Sequence, residues 1–280
     1  MTEIAFDEVG YWSEVKQDIV QLYSEEYTKI LRAQGNLRFA YIEGFSSSGI
    51  QVRKGSGELS FGSAIRAVKI EPPFDEYHFV DIDRAKLSTL ERLVNETRLR
   101  RTSRYYPDDC NRVLLTDIFP QVRYEEYRRA LCLLDPYGLD LDWAVIAKAG
   151  ELGTIDLFLN FPVMDANRNA LWRNPKRVAP SQAARLTRFW GDETWRDVAY
   201  QKQKNLFGEQ EAIKTDNETV ANAFRERLRN VAKFALVPRP VPMRNDQGAT
   251  IYYLFFASQK ESANRIASFL FEKYRARGAV

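Results

Sequence analysis

The stretch Tyr41-Ile42-Glu43-Gly44-Phe45-Ser46-Ser47-Ser48-Gly49 decides the fold, because it joins an apolar run to a loop of small residues. The run from Phe39 to Ile42 predicts a buried strand, which ends at Glu43 and Gly44. Small residues directly after a strand allow the backbone to approach a bound cofactor closely. The sequence therefore predicts a strand followed by a cofactor-binding loop.

Further apolar runs follow along the chain, and acidic residues or prolines end them. They predict strands over Tyr77 to Ile82, Arg112 to Thr116, Ala130 to Leu134 and Ile155 to Phe161. Apolar residues at helical spacing lie between several of these runs, as in the segment that begins at Asp83. Strands that alternate with helices pair in parallel through right-handed crossovers. We therefore expect an α/β protein with a doubly wound, mostly parallel, Rossmann-like sheet.

The two ends of the chain depart from this alternation. Apolar residues at helical spacing between Tyr11 and Arg32 predict an amphipathic helix that packs on the core. The runs Phe234 to Met243 and Thr250 to Ala257 predict an antiparallel hairpin, and a final helix is expected over Glu261 to Tyr274. The expected segments are 1–34, the N-terminal helix; 35–178, the Rossmann-like core; 179–232, a helical insertion; and 233–280, the C-terminal hairpin and helix that complete the core.

The predicted insertion is polar and aromatic, and it includes the long helical segment from Pro180 to Ala232. Its Trp190 and Trp195 are typical of helix packing, with stacking on a substrate as the alternative. Arginines and lysines concentrate in three clusters, which are typical of solvated helix faces but also of phosphate binding. The clusters are Arg98, Arg100, Arg101 and Arg104; Arg173, Lys176 and Arg177; and Arg225, Arg227 and Arg229.

Composition limits the class of protein. The 280 residues are 45% hydrophobic with a net charge of +3, which suits a full core and does not by itself require a nucleic-acid partner. No stretch approaches the roughly 20 apolar residues of a membrane span, and Met1 to Val9 does not read as a secretion signal. We therefore expect a cytoplasmic protein without a membrane partner. Cys110 and Cys132 lie far apart and His78 is the only histidine, so no metal site is expected.

Acidic residues follow four of the predicted strands. They are Glu43, Asp81, Asp117 and Asp135. Ligands of a doubly wound sheet bind beyond the carboxyl ends of its strands, so we expect these four side chains to line one crevice. Each residue alone is also typical of a helix cap or a turn. Asp83 is predicted to cap the next helix, which leaves Asp81 as the candidate for hydrogen bonds to a ribose.

The order of these motifs resembles that of class I S-adenosylmethionine-dependent methyltransferases. The motifs are the 41–49 stretch, Phe79-Val80-Asp81-Ile82-Asp83, Thr116-Asp117 and Asp135-Pro136-Tyr137-Gly138. More narrowly, the chain is similar to the three-Cys-motif partner proteins in Gly62-Ser63-Ala64, in Leu159-Asn160-Phe161-Pro162 with Arg168, and in Tyr252-Tyr253-Leu254. This resemblance covers residues 35 to 274. It implies a seven-stranded methyltransferase-like fold and a cysteine-motif partner, similar to radical enzymes, encoded nearby.

The resemblance also implies roles for individual residues. The cofactor would be S-adenosylmethionine, held by Glu43, Gly44, Phe45, Ser47, Gly49, Asp81, Ile82 and Asp117. Within this set Asp81 would face the ribose and Asp117 the adenine. Asp135, Pro136 and Tyr137 would act on the substrate. In amino-group methyltransferases of bases, an acceptor side chain and a proline carbonyl hold the amine while an aromatic ring stacks on the base.

A second interpretation is a catalytically degenerate Rossmann-like module that binds nucleic acid or the three-Cys-motif partner. Ser47 replaces a glycine that nucleic-acid methyltransferases usually have, and Tyr137 directly follows Pro136 instead of a second proline. Tyr137 is also compatible with a packed core position. A nicotinamide-dependent reductase is disfavoured because the first loop lacks the three-glycine fingerprint.

Overall fold

The protein is described here by a computed structural model over residues 7–96, 102–204 and 210–276. The strands are β1 (Asp7–Val9), β2 (Arg38–Gly44), β3 (Ile50–Arg53), β4 (Leu59–Phe61), β5 (Glu76–Val80), β6 (Thr102–Tyr106), β7 (Arg128–Leu134), β8 (Ile155–Phe161), β9 (Tyr200–Lys204), β10 (Gln210–Lys214), β11 (Val241–Arg244) and β12 (Thr250–Ala257). The helices are α1 (Tyr11–Ala33), α2 (Ser63–Val68), α3 (Arg84–Glu96), α4 (Cys110–Val113), α5 (Trp143–Leu152), α6 (Val163–Asn169), α7 (Pro180–Trp190), α8 (Trp195–Ala199), α9 (Asn217–Asn230) and α10 (Glu261–Ala276).

The central sheet has seven strands in the order β11-β12-β8-β7-β2-β5-β6. All neighbours from β8 to β6 pair in parallel, whereas β12 runs antiparallel to both β8 and β11. The predicted doubly wound, mostly parallel, Rossmann-like sheet with an antiparallel C-terminal hairpin is therefore confirmed. The chain leaves β2 toward β5 on one side and returns to β7 on the other, and ligands of such sheets bind at this reversal.

Helices cover both faces of the sheet. One apolar core lies under α1, α2, α3 and α10, and the other lies under α5, α6, α7 and α9. In the second core the rings of Phe161 and Phe224 stack, with centroids 4.9 Å apart. Trp190 and Trp195 are buried in the same core, so helix packing is the correct interpretation of these two residues. The boundaries 179–232 of the predicted insertion stay a prediction.

The N-terminal helix begins at the predicted residue and ends at Ala33, one residue later than predicted. Its apolar stripe packs on the sheet between α2 and α10. α1 has 23 residues. Even so, no helix within the described ranges combines the length and the apolar character needed to cross a membrane.

The predicted strand from Arg112 to Thr116 is wrong. This part of the chain forms α4 and one wide helical turn, Leu114–Ile118. Its apolar residues, Cys110, Val113, Leu114 and Ile118, recur at intervals of three and four, which is helical spacing. The strand beside β5 is instead β6, whose sequence Thr-Ser-Arg-Tyr-Tyr contains no aliphatic run because it lies at the edge of the sheet.

Two small sheets of short strands lie where the sequence predicts no strands. β9 and β10 form an antiparallel hairpin inside the segment predicted as helical. β3 pairs antiparallel with β4 and parallel with β1, which makes a small three-stranded sheet. These strands are short and largely polar, so they give no apolar period of two.

Candidate functional site

A cleft of about 290 Å³ lies beyond the carboxyl ends of β2 and β7. Its walls come from the loop after β2, the start of α1, the start of α2 and the residues that follow β7. The lining side chains include Asp7, Lys16, Glu43, Ser47, Ser63, Asp135, Pro136 and Tyr137. The position at the reversal of strand order is the one expected for a ligand site in this class of sheet.

The loop after β2 has an unusual backbone that ties it to β5. Phe45, Ser47 and Gly49 adopt positive φ angles of 63°, 54° and 75°. The backbone amide of Ser47 donates to Asp81 Oδ2 at 2.8 Å, and the amide of Ser46 donates to the Val80 carbonyl at 3.0 Å. Ser47 thus occupies the left-handed conformation that glycine adopts more easily, and the backbone path that glycine would allow is retained.

Asp81 is buried directly after β5, with 2% of its surface exposed. Its Oδ1 accepts a hydrogen bond from the amide of Asp83 at 2.8 Å, and its Oδ2 accepts the bond from Ser47. Asp83 Oδ1 in turn accepts from the amides of Ala85 and Lys86, which confirms Asp83 as the capping residue of α3. The next side chain, Ile82, is 76% exposed and offers an apolar surface.

Glu43 is buried at the base of the cleft. Its Oε2 accepts from Tyr41 Oη at 2.7 Å, and its Oε1 accepts from Ser63 Oγ at 2.5 Å. Burial outweighs these hydrogen bonds and the nearby Lys16 ammonium, and it raises the pKa of Glu43 to about 7. The carboxyl group therefore changes its charge near neutral pH.

Asp135 lies between two side chains that donate to it. Lys16 Nζ bonds to Asp135 Oδ2, and Asn160 Nδ2 bonds to Asp135 Oδ1. The side-chain Oδ1 of Asn160 is buried without a hydrogen-bond partner among the described residues. The site therefore holds one anchored carboxylate beside one unused acceptor. An unpaired buried acceptor is costly, and a ligand that donates a hydrogen would satisfy it.

Lys16 is a residue of the candidate site that the sequence did not predict. It is only 4% exposed and lies on α1, 119 residues before its partner Asp135. A signal for it exists, because Lys16 interrupts the apolar stripe of the helix between Trp12 and Ile19. A single cation on a buried face requires a carboxylate partner, but the sequence does not say which one.

β1 crosses the mouth of the cleft. Asp7 Oδ2 accepts from Ser47 Oγ at 2.5 Å, and Asp7 Oδ1 lies 2.7 Å from Lys86 Nζ. The hydroxyl of Tyr137 is 3.5 Å from Asp7 Oδ2. The Asp7 carboxylate thus joins the loop after β2, the helix after β5 and the motif after β7.

The motif after β7 turns sharply. The Pro136 carbonyl accepts from the amide of Gly138 at 2.9 Å, and Gly138 has a φ of 96°. Tyr137 is 54% exposed and packs edge-to-face against Phe45, with ring centroids 6.4 Å apart. It is therefore a side chain of the cleft and not a core tyrosine.

Asp117 does not belong to this group. It lies on the wide helical turn after α4 and does not line the cleft. Asp81 is not among the lining residues either, but it accepts a hydrogen bond from the amide of Ser47, which is. Asp117 Oδ2 is 3.3 Å from Arg112 Nη1 and Asp117 Oδ1 accepts from Thr116 Oγ1, both on the protein surface. The expectation of four carboxylates at strand ends was wrong for Asp117, because the strand before it does not exist. Asp109, which follows the true strand β6, precedes a cysteine whose Sγ packs against Gly44.

His78 has a structural role. It is buried in β5, with Nε2 3.5 Å from Glu76 Oε2 and Nδ1 3.1 Å from Tyr106 Oη. Hydrogen bonds from His78 and Arg128 lower the pKa of Glu76 to about 2. Within the described ranges, no group of three His, Cys, Asp or Glu side chains is arranged to hold a metal ion.

Comparison with solved structures supports the fold. A protein of the DUF519 family from Legionella pneumophila str. Philadelphia 1 is similar, with a TM-score of 0.52 and 10% identity over 94% of this chain and 92% of that chain. An S-adenosylmethionine-dependent methyltransferase from Clostridium acetobutylicum ATCC 824 matches with a TM-score of 0.40 and 9% identity over 85% of this chain and 91% of that chain. No protein-family model and no curated protein matches the chain. The first likeness shows a shared fold over nearly the whole chain.

Proposed function

We propose that the chain is an S-adenosylmethionine-dependent methyltransferase that acts on the amino group of a nucleic-acid or nucleotide base. The observation that carries this proposal is the cleft after β2, which Glu43, Ser47 and Asp135 line, with Asp81 buried behind the Ser47 amide. Ser47 joins the group, because its amide bonds to Asp81 and its side chain lines the same cleft as Glu43 and Asp135. A buried acid, a ribose acceptor and an amine acceptor at one edge are the groups that this chemistry requires.

The residues of the cleft fit the proposed cofactor. S-adenosylmethionine supplies a methyl group on a positively charged sulfur. The Glu43 carboxylate and the loop to Gly49 suit its methionine end, and Asp81 has lone pairs left for ribose hydroxyls after its two backbone hydrogen bonds. The exposed Ile82 offers an apolar face to the adenine.

On the substrate side of the cleft, hydrogen-bond acceptors would bind the two hydrogens of the target amine. Asp135 and the Pro136 carbonyl are acceptors, and the unpartnered side-chain Oδ1 of Asn160 belongs to the same amide that donates to Asp135. These acceptors would direct the nitrogen lone pair toward the methyl carbon, and Asp135 would receive the proton that the amine loses. The exposed ring of Tyr137 would stack on the base.

Isothermal titration with S-adenosylmethionine tests the cofactor half of the proposal. Wild type and Asp135→Ala should bind, whereas Asp81→Ala should lose affinity by at least tenfold, because a buried hydrogen-bonding carboxylate is removed. Asp246→Ala, in the exposed turn of the C-terminal hairpin, is the matched control and should bind like wild type. Absence of binding to the folded wild-type protein would refute the proposal.

Transfer of a labelled methyl group to nucleic acid or nucleotides tests the substrate half. Turnover should be lost in Asp135→Ala although the cofactor still binds. The reverse pattern, with Asp81→Ala binding and Asp135→Ala not binding, would mean that the cofactor and substrate ends are exchanged.

A non-catalytic module that assembles with a three-Cys-motif protein is the second candidate. It is favoured by Asp7, whose carboxylate lies across the cofactor loop, and by Lys16, which already pairs with Asp135. This candidate predicts co-purification with a cysteine-motif protein encoded nearby, and no affinity for S-adenosylmethionine. The titration above therefore separates the two candidates.

A further inference from the structure

The segment after β8 has an unbalanced charge. Between Asp165 and Asp192 the sequence contains no acidic residue. The same interval carries six basic residues, Arg168, Arg173, Lys176, Arg177, Arg185 and Arg188. Since the whole chain has a net charge of only +3, this asymmetry is local.

Only part of this charge is neutralised within the protein. Arg185 Nη2 lies 3.0 Å from Asp140 Oδ1, and Arg188 Nε lies 2.6 Å from Asp142 Oδ1. The other four cations are exposed and form no ion pair with any residue in the described ranges. They are Arg168, Arg173, Lys176 and Arg177, and with Trp172 we call them the basic segment. Cations kept apart from carboxylates remain available to an anionic partner.

The basic segment is held in place. The indole Nε1 of Trp172 donates to the Arg168 carbonyl at 2.7 Å, and the Trp172 carbonyl accepts from Tyr200 Oη at 2.8 Å. Lys214 bonds to the Leu171 carbonyl, and its pKa is lowered by burial and by the nearby Arg173 charge. Even so, the indole remains 41% exposed. An exposed indole among exposed cations on an anchored backbone is the combination that binds bases and phosphates together.

The basic segment continues directly from the cleft. β8 ends beside β7, and its Asn160 donates to Asp135. In α6, which follows, Asp165 Oδ2 accepts from the Leu139 amide at 3.1 Å, immediately after the Asp135-Pro136-Tyr137-Gly138 motif. The first cation, Arg168, lies one turn further along the same helix. A strand bound along the basic segment would therefore lead to the substrate side of the cleft.

We propose that the basic segment binds the sugar-phosphate backbone of a single-stranded nucleic acid and leads its target base into the cleft. This inference rests on the proposed function and narrows its substrate from any base to one in a polymer. The exposed cations contact successive phosphates, and Trp172 stacks on a base next to the target. A single strand fits because its bases need no unpairing before one of them leaves the stack.

Fluorescence anisotropy with a 5′-labelled mixed-sequence single strand, as RNA and as DNA, tests the proposal. The charge reversal Arg173→Glu, Lys176→Glu, Arg177→Glu should weaken binding more than tenfold and reduce the slope of log affinity against log salt by about 2, because each phosphate contact contributes about 0.7. The matched control is Arg38→Glu, Lys69→Glu, Arg92→Glu, three exposed cations elsewhere, and it should stay within threefold of wild type. Trp172→Ala should weaken binding by about tenfold.

Several outcomes would overturn the inference. One is an equal loss of oligonucleotide affinity in both triple variants. Another is a duplex of the same sequence that binds as tightly as the single strand. The third is polyglutamate that binds the basic segment as tightly as the oligonucleotide does. Titration with S-adenosylmethionine separates this failure from failure of the proposed function. If the cofactor binds but no oligonucleotide does, the polymer is wrong and a free nucleotide remains the substrate. If the oligonucleotide binds through the basic segment but the cofactor does not bind, the nucleic-acid-binding surface is confirmed and the proposed methyl transfer is refuted.

Discussion

Replacement of Glu43 by glutamine should change how the stability of the protein depends on pH. Burial raises the pKa of this carboxyl group from its ordinary value of 4.5 to about 7. Between these values the folded protein keeps a proton that the unfolded chain has lost, so the free energy of unfolding falls as pH rises. A difference of 2.5 in pKa, at 1.36 kcal/mol each, gives about 3 kcal/mol over this window.

Urea denaturation from pH 4.5 to 8 measures this effect. Glutamine carries no charge at any of these pH values. The free energy of unfolding of Glu43→Gln, relative to that of wild type, should therefore rise by about 3 kcal/mol between pH 4.5 and pH 7.5 and stay constant above that. The control is Glu26→Gln, at an exposed position on α1 where Glu26 pairs with Lys29. Its difference from wild type should stay nearly constant with pH. Parallel curves for Glu43→Gln and wild type would show that Glu43 titrates as an ordinary carboxyl group, and the reasoning from burial would be refuted.

Two further predictions concern packing and pairing. Lys16→Met should lower the free energy of unfolding by about 2 kcal/mol, because Asp135 loses a buried partner. In a urea-denaturation cycle, the double variant with Asp135→Asn should lose less stability than the sum of the two single variants. Additive losses would show that the two residues are not coupled. Gly150→Ala should destabilise the protein by at least 2 kcal/mol, because a Cβ there would lie 1.8 Å from the Ala232 carbonyl oxygen. Alanine otherwise favours a helix over glycine, so a melting temperature equal to that of wild type would contradict this close approach.

The central strands could be predicted from sequence because they are buried on both faces. β8 was predicted at its observed bounds, Ile155–Phe161, since parallel strands between two layers of helices read as continuous apolar runs. β6 could not be predicted in the same way, because it lies at the sheet edge and carries polar residues. The nearby helical residues around Val113 supplied a misleading apolar run, and with it the wrong position for Asp117.

The candidate site was predictable where it follows a strand. Glu43, Asp81 and Asp135 each end an apolar run, and parallel pairing brings such ends to one edge. Lys16 and Asp7 were not predictable as members of the site, because they reach it from α1 and β1 through contacts that are distant in sequence. Local pattern shows that a buried lysine needs a partner, but only the fold selects that partner.

The helix α1 and the strand β8 are linked at both ends of the sheet. Near the cleft, Lys16 and Asn160 both bind Asp135. Near the first residue of β8, Tyr23 Oη donates to Asp156 Oδ2 at 2.6 Å. Along the helix the two contacts are separated by about 10 Å, and along the strand by about 13 Å. The helix α1 is therefore held against the sheet at two points along its length. A shift of α1 by one turn, about 5.4 Å, would break both contacts at once, so the hydrogen bond from Tyr23 to Asp156 helps to keep Lys16 beside Asp135.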